Sequence, residues 1–224
     1  MTQILGENKR GRAVLSGLYV ILDPSVNPDR PLVEVLRISA GAGAKLFQYR
    51  NKTASMKEAY AEALPLRKLA QELGVLFIVN DRCDLALAVD ADGVHLGQGD
   101  LPFHHARKVM GSNKLIGLST HSPEQVLAAA AAGPDYLGFG PICKPGSKTD
   151  HDPVVGMAGL KAIRPLTPLP IFAIGGITLD QVADVMSAGA NGVAVISAIL
   201  KASNIRQAVS DFVARISLPI VPTA

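Results

Sequence analysis

Gln48-Tyr49-Arg50-Asn51-Lys52 closes an apolar run and sets an amide, a guanidinium and an ammonium at alternate positions. In an extended chain successive side chains point to opposite sides, so Gln48, Arg50 and Lys52 share one side. Two cations and an amide so spaced can cover several oxygens of a pyrophosphate, Arg with its planar fork and Lys as a point charge. A solvated strand end is the plain alternative. Asn80-Asp81 ends the next apolar run, and the one after that leads into His95-Leu96-Gly97-Gln98-Gly99-Asp100. Two carboxylates beside a diphosphate repel it unless a hard divalent cation lies between them; Mg²⁺ is typically held by one or two carboxylates, with phosphate and water completing its shell. Asp100 has a competing use as the N-cap of a helix starting near Leu101-Pro102, and one oxygen can serve both. Further on, Ala173-Ile174-Gly175-Gly176-Ile177-Thr178 and Ala194-Val195-Ile196-Ser197 bare backbone amides at helix starts, the usual makings of a phosphate cradle.

Something must bring these clusters together. Short apolar runs recur at 18–22, 46–50, 75–80, 93–96, 115–119, 136–139, 171–174 and 193–196, each followed by a helical pattern, which is how a parallel α/β sheet reads. Ser55 with Glu58, Ser122 with Gln125, and Thr178 with Gln181 mark helix starts as capping boxes. Gly74, Gly133 and Gly189 mark helix ends, and Pro65 falls inside a helical pattern that it should kink. Eight β-then-α units predict an α/β chain folded as a single-domain TIM (β/α)8 barrel, whose usual size is about 250 residues. A tail at residues 1–14, the barrel at 15–218 and a tail at 219–224 are expected. An open doubly wound sheet normally has fewer strands, and no G-x-G-x-x-G follows the first strand here. In a barrel the chemistry gathers at the C-terminal strand ends, with phosphate held by the loops after strands seven and eight.

The composition narrows the partners. Charged residues are 18% of 224, and 22 basic against 19 acidic gives a net charge of +3 with no polybasic run, so neither nucleic acid nor an anionic membrane is expected. Aromatics are 4% and Trp is absent, which argues against base-stacking platforms. Cys83 and Cys143 form no CxxC pair, which fits a cytoplasmic setting. Lys9, Arg10 and Arg12 before the run from Ala13 to Leu22 imitate a signal peptide, but Asp23-Pro24-Ser25 offers no small-residue cleavage site and the run is too short to span a bilayer. A buried first strand behind a tail is the better reading.

In order and spacing, the clusters above together with Gly117-Leu118-Ser119-Thr120-His121, Gly140-Pro141-Ile142 and Val195-Ile196-Ser197-Ala198-Ile199 resemble the motifs of the thiamine-phosphate synthase family, from about Leu18 to Leu200. The resemblance implies condensation of 4-amino-2-methyl-5-(diphosphomethyl)pyrimidine with a thiazole phosphate, or its carboxylate form, giving thiamine phosphate and pyrophosphate with one Mg²⁺. It implies that Gln48, Arg50, Lys52, Asn80, Ser119 and Lys148 contact the pyrimidine diphosphate, with Arg50, Lys52, Ser119 and Lys148 as the catalytic set. Tyr49 and Asn51 belong to the same substrate-binding segment. Asp81 and Asp100 would hold the metal, and Gly176, Ile196 and Ser197 the thiazole phosphate through their backbone. The partners are thus small molecules, with a monomer or a homo-oligomer left open.

One loop departs from the family. Where a Thr-x-Thr-Lys run is usual, this chain has Lys144-Pro145-Gly146-Ser147-Lys148. Ser147 and Lys148 keep a hydroxyl and a cation, whereas Pro145 offers neither hydroxyl nor N–H. A related barrel, the thiazole tautomerase, has a characteristic His where Pro141 stands and lacks much of the pyrophosphate machinery present here. A third reading, a non-catalytic binder of thiamine precursors, has little need of both Asp81 and Asp100. His104 and His105 read as a helix surface, His95 as a packed barrel residue, and Cys143 lacks a recognisable base.

Overall fold

The apolar runs lack polar alternation because each forms a strand covered on both faces, by the barrel interior on one side and by helices on the other. The computed structural model describes residues 15–143 and 153–218. Its strands are β1 (Gly17–Leu22), β2 (Leu46–Tyr49), β3 (Leu76–Asn80), β4 (Gly93–Leu96), β5 (Leu115–Thr120), β6 (Tyr136–Phe139), β7 (Ile171–Ile174) and β8 (Gly192–Val195). All neighbours are parallel, and β8 returns to pair with β1, closing the barrel. The helices are α1 (Leu32–Gly41), α2 (Met56–Glu72), α3 (Cys83–Ala88), α4 (Phe103–Met110), α5 (Pro123–Ala132), α6 (Gly156–Ile163), α7 (Val182–Ser187), α8 (Ser197–Leu200) and α9 (Ile205–Ile216). The expected barrel is present, with no strand end displaced by more than one residue.

The helix signals act with differing completeness. Ser55 and Glu58 form the full capping box of α2, which runs unbroken through Pro65. Ser122 accepts from the Gln125 amide, but the Gln125 side chain reaches one residue further back, to the His121 N–H, so this box is half made. Thr178 and Gln181 close their box on a 3-10 turn at Leu179–Gln181, and α7 begins only after it. Gly133 ends α5 in the left-handed conformation.

Alternation along the strands sorts side chains into two apolar layers. Leu18, Val20 and Leu22 of β1 join the layer under the helices, whereas Tyr19 and Ile21 face the barrel axis with Leu46, Ile78, Leu115, Tyr136, Phe172 and Ala194. Each fully buried Leu or Phe stabilises by about 1.5–3 kcal/mol. Tyr19, Tyr136 and Phe172 plug the barrel edge-to-face, with ring centroids 5.3, 5.5 and 5.9 Å apart. Gly117 makes room for this plug: a Cβ there would lie 2.1 Å from Tyr136 Cζ and 2.6 Å from His95 Nδ1. Gly117→Ala is therefore expected to destabilise by about 3 kcal/mol, at the upper end of ordinary overpacking, read as a lower denaturant midpoint. An unchanged midpoint would show that the plug can shift freely.

At the opposite end the strands are stitched by a recurring clamp. Asp92, just before β4, accepts the Phe77 N–H of β3 (2.8 Å) and pairs with Arg67 of α2 (3.3 Å). Asp135, just before β6, accepts the Ile116 N–H of β5 (2.9 Å) and pairs with Arg107 of α4 (2.7 Å). Asn191, just before β8, accepts the Ile171 N–H of β7 (2.9 Å) and receives Arg164, which follows α6 (3.0 Å). Each clamp satisfies a strand-end donor that would otherwise be buried and unpaired.

Candidate active site

The C-terminal strand ends enclose a cavity of about 380 Å³ at the barrel mouth, floored by Tyr19 and Phe172. Gln48, Arg50 and Lys52 all line it, as their alternation along β2 requires. Tyr49 and Asn51 do not. They point away, where the Tyr49 hydroxyl donates to Glu62 at 2.7 Å and the Asn51 amide donates to the same carboxylate at 3.0 Å. The odd positions of this segment anchor it to α2, and the even ones face the cavity.

Arg50 is held by Asp23, a buried carboxylate at the end of β1 that also accepts the Ser25 N–H (3.0 Å) and hydroxyl (2.6 Å). Asp23 was missed in the sequence because Asp-Pro-Ser reads as an ordinary turn. Its role comes from the β1–β2 register, which sets Leu22 beside Tyr49 and so brings the two strand ends together.

Asn80, Asp81 and Asp100 line the facing wall, with Lys52 Nζ 3.1 Å from an Asp81 oxygen. Asp81 has a φ of 62°, a left-handed conformation that Asp tolerates better than most residues, and its N–H donates to the His95 carbonyl at 2.8 Å. Asp100 does not cap α4, whose capping position is Pro102. Instead its carboxylate folds back to accept the Gly97 N–H at 2.6 Å, tying off the loop after β4. Burial, and then the adjacent Asp81 charge, push the Asp100 carboxyl above its ordinary range, against the pull of the Gly97 N–H and Lys52. Two hard oxygen donors whose charges oppose each other are a fitting pair for a hard divalent cation.

His95 lies beneath this wall, its Nε2 2.9 Å from Ser119 Oγ and its Nδ1 3.1 Å from the Tyr136 hydroxyl. It is the packed barrel residue expected. Burial lowers its pKa from the ordinary 6.5 to about 4, with the Asp81 charge working weakly the other way. The unfolded chain thus takes up a proton here below about pH 6.5 and the folded chain only near 4. More protons are bound unfolded in between, so stability falls as pH drops through that window. Denaturant midpoints should show this slope, and His95→Asn should remove the share belonging to this imidazole. A slope untouched by the substitution would mean that His95 is charged in the folded protein.

On the remaining side Ile174 and Ile196 line the cavity. Gly175 and Gly176 follow β7 with φ of 101° and 63°, and Ser197 opens α8, where a first-turn amide has no intrahelical acceptor. Gly175 has a second constraint, because a Cβ there would lie 2.5 Å from that of Pro141. The β6 and β7 loops are joined at this point by Ile142 N–H to the Ile174 carbonyl (2.8 Å) and Cys143 N–H to the Gly175 carbonyl (2.9 Å). Pro145, Gly146, Ser147 and Lys148 lie outside the described residues. His104 and His105 are on α4, away from the cavity lining.

A closed parallel barrel with cations and paired carboxylates gathered at its C-terminal mouth defines a (β/α)8-barrel enzyme. The comparisons with known proteins are specific. Residues 18–199 match the thiamine monophosphate synthase family, to which this chain belongs. It is 46% identical to the thiamine-phosphate synthase of Chloroflexus aurantiacus, over 90% of this chain and 93% of that protein. It is 43% identical to that of Methanospirillum hungatei, over 88% and 95%. The structure of thiamine phosphate pyrophosphorylase from Pyrococcus furiosus superposes with a TM-score of 0.81 at 39% identity, covering 89% of this chain and 95% of that one. At 18% identity, (S)-3-O-geranylgeranylglyceryl phosphate synthase from Thermoplasma acidophilum shares the fold, with a TM-score of 0.66.

Proposed function

We propose that this protein is a thiamine-phosphate synthase of thiamine biosynthesis, joining 4-amino-2-methyl-5-(diphosphomethyl)pyrimidine to a thiazole phosphate with release of pyrophosphate, or to its carboxylate form with release of pyrophosphate and CO₂. The observation that supports it best is the joint placement of Gln48, Arg50 and Lys52 opposite Asp81 and Asp100 on one small cavity. The bond between the pyrimidine methylene and its diphosphate oxygen breaks, and the electron pair leaves with pyrophosphate. The electron-rich aminopyrimidine spreads the resulting positive charge, and the thiazole nitrogen lone pair forms the new C–N bond. No strong side-chain base is required, so the protein's work is positioning and charge.

In this reading Arg50 and Lys52 grip the diphosphate, with Asn80 and Ser119 as hydrogen-bonding partners. Lys148 is assigned to the same substrate by family resemblance. Asp81 and Asp100 hold Mg²⁺, which when bound offsets the charge of the leaving pyrophosphate. The amides around Gly176, Ile196 and Ser197 take the thiazole phosphate. A cytoplasmic location goes with this activity; among the described residues no helix is long and apolar enough to cross a membrane. The test is to incubate purified protein with both substrates and Mg²⁺ and follow thiamine phosphate and pyrophosphate together. Equal amounts of the two are expected, and neither product forming would refute the proposal.

A further inference from the structure

Below the cavity floor lies an unbroken polar chain that the reaction as described does not use. Gln48 Nε2 is 2.7 Å from the Tyr19 hydroxyl, which is 2.9 Å from the Tyr136 hydroxyl. Tyr136 is 3.1 Å from His95 Nδ1, and His95 Nε2 is 2.9 Å from Ser119 Oγ. All but Ser119 are buried, and of the five only Tyr136 is set back from the cavity lining, so the chain dips beneath the floor at Tyr136 and returns to it at both ends. Burial holds both phenols well above their ordinary pKa, so each keeps its proton.

We propose that Gln48 and Ser119 are the two ends of one directional hydrogen-bond relay through Tyr19, Tyr136 and His95, which makes Gln48 an acceptor and Ser119 a donor toward the same bound ligand. The direction follows from counting donors. With the Gln48 amide N–H donating to Tyr19, the Tyr19 proton has the Tyr136 oxygen as its remaining acceptor among the described residues. Tyr136 must then donate to His95 Nδ1, since a second donation toward Tyr19 would leave a buried O–H unpaired. An accepting Nδ1 puts the imidazole proton on Nε2, which donates to Ser119 Oγ. The Ser119 hydroxyl proton is thereby released toward the cavity, and the Gln48 carbonyl oxygen is the amide group left to face it.

The two ends are consequently complementary opposites. Turning the Gln48 amide over would reverse every bond in the chain and make Ser119 an acceptor. A ligand presenting an amino N–H to Gln48 and an anionic or ring-nitrogen acceptor to Ser119 is matched, and one with both groups of the same kind is not. Tyr136, set back from the cavity lining, is a positioning residue here, acting on the ligand through Tyr19 and Gln48 on one side and His95 and Ser119 on the other. This inference deepens the synthase reading and rests on it for the ligand, an aminopyrimidine bearing phosphate oxygens.

The direct test is ¹⁵N-histidine NMR of the unmodified protein, with the His95 resonances among the five histidines assigned by His95→Asn. The relay requires an unprotonated Nδ1 and a protonated Nε2. The proton on Nδ1 would overturn it. The second test is Tyr136→Phe, which cuts the relay in the middle, made both alone and in a Ser119→Ala background. Alone it should lower kcat/KM for the pyrimidine diphosphate by about tenfold, the scale of one well-placed hydrogen bond. With Ser119 already truncated only the Gln48 end is left to lose, so the further cost should be clearly smaller. An equal cost in both backgrounds would show a merely structural role and overturn the relay. Should Tyr136→Phe fail to fold, the spectrum of the unmodified protein still decides. Absence of thiamine phosphate from the unmodified protein would instead refute the synthase reading, a result distinct from the tautomer.

Discussion

Asp100→Asn is expected to cut thiamine phosphate formation at limiting Mg²⁺ by on the order of 10²–10³ in kcat/KM, the usual cost of removing one charge-stabilising group from a transition state. The substitution is nearly isosteric, and the amide oxygen can still accept the Gly97 N–H that ties off the loop after β4. What disappears is one of two opposed negative charges. Without metal the folded state should therefore be as stable as the parent or more so, because the buried charge, and with it the repulsion from Asp81, is gone. Asp81→Asn should behave alike, since Asn tolerates the left-handed backbone that Asp81 adopts. The pair of readouts, activity against Mg²⁺ concentration and denaturant midpoint without Mg²⁺, separates a lost ligand from a damaged loop. Full activity of both variants at limiting Mg²⁺ would remove these carboxylates from the metal site.

Arg50→Ala should fail in two ways at once. It removes a charge-assisted contact to the diphosphate, lowering kcat/KM for the pyrimidine substrate by about 10–100-fold, equivalent to roughly 1–3 kcal/mol. It also strands Asp23, a carboxylate whose side chain is 4% exposed, and breaking a buried ion pair typically costs about 3–5 kcal/mol. Asp23→Asn is the informative companion. It keeps an oxygen for the Ser25 contacts while loosening Arg50, so the loss should be smaller and fall mainly on KM for the pyrimidine diphosphate. Steady-state kinetics with each substrate varied in turn decides the matter: equal effects on both KM values would argue that Arg50 shapes the cavity rather than gripping one substrate.

The barrel was legible because its strands are buried on both faces and so stand out as apolar runs between helical patterns. The same alternation that placed Gln48, Arg50 and Lys52 on the cavity turns Tyr49 and Asn51 toward Glu62 of α2, a partner the alternation alone did not name. Asp100 was harder. A carboxylate before a helix resembles a cap, but Pro102 occupies the capping position and the side chain closes its own loop instead. Asp23 carried no local signal, because its partner Arg50 is 27 residues away and meets it only through strand pairing. The need for Gly at 117 was equally invisible, since it depends on where a tyrosine from the next strand and a histidine from the previous one come to rest.

The three clamps at the N-terminal end of the barrel bear on how the chain assembles as it is made. Their Arg-to-acceptor separations are 25, 28 and 27 residues, so each latch needs only the most recent stretch of chain to have emerged. Contacts this local close quickly and, in a chain synthesised from its N-terminus, can seat one after another. The seam between β1 and β8 is different: it joins the two ends of the barrel and can form only last. There the backbones already approach closely, for a Cβ on Gly192 would lie 2.3 Å from the Gly17 carbonyl oxygen. A side chain at that point would press on the closing seam itself and on Phe172, and any molecule in which the seam fails to close carries β1 and β8 as unpaired edges able to recruit the edge of another.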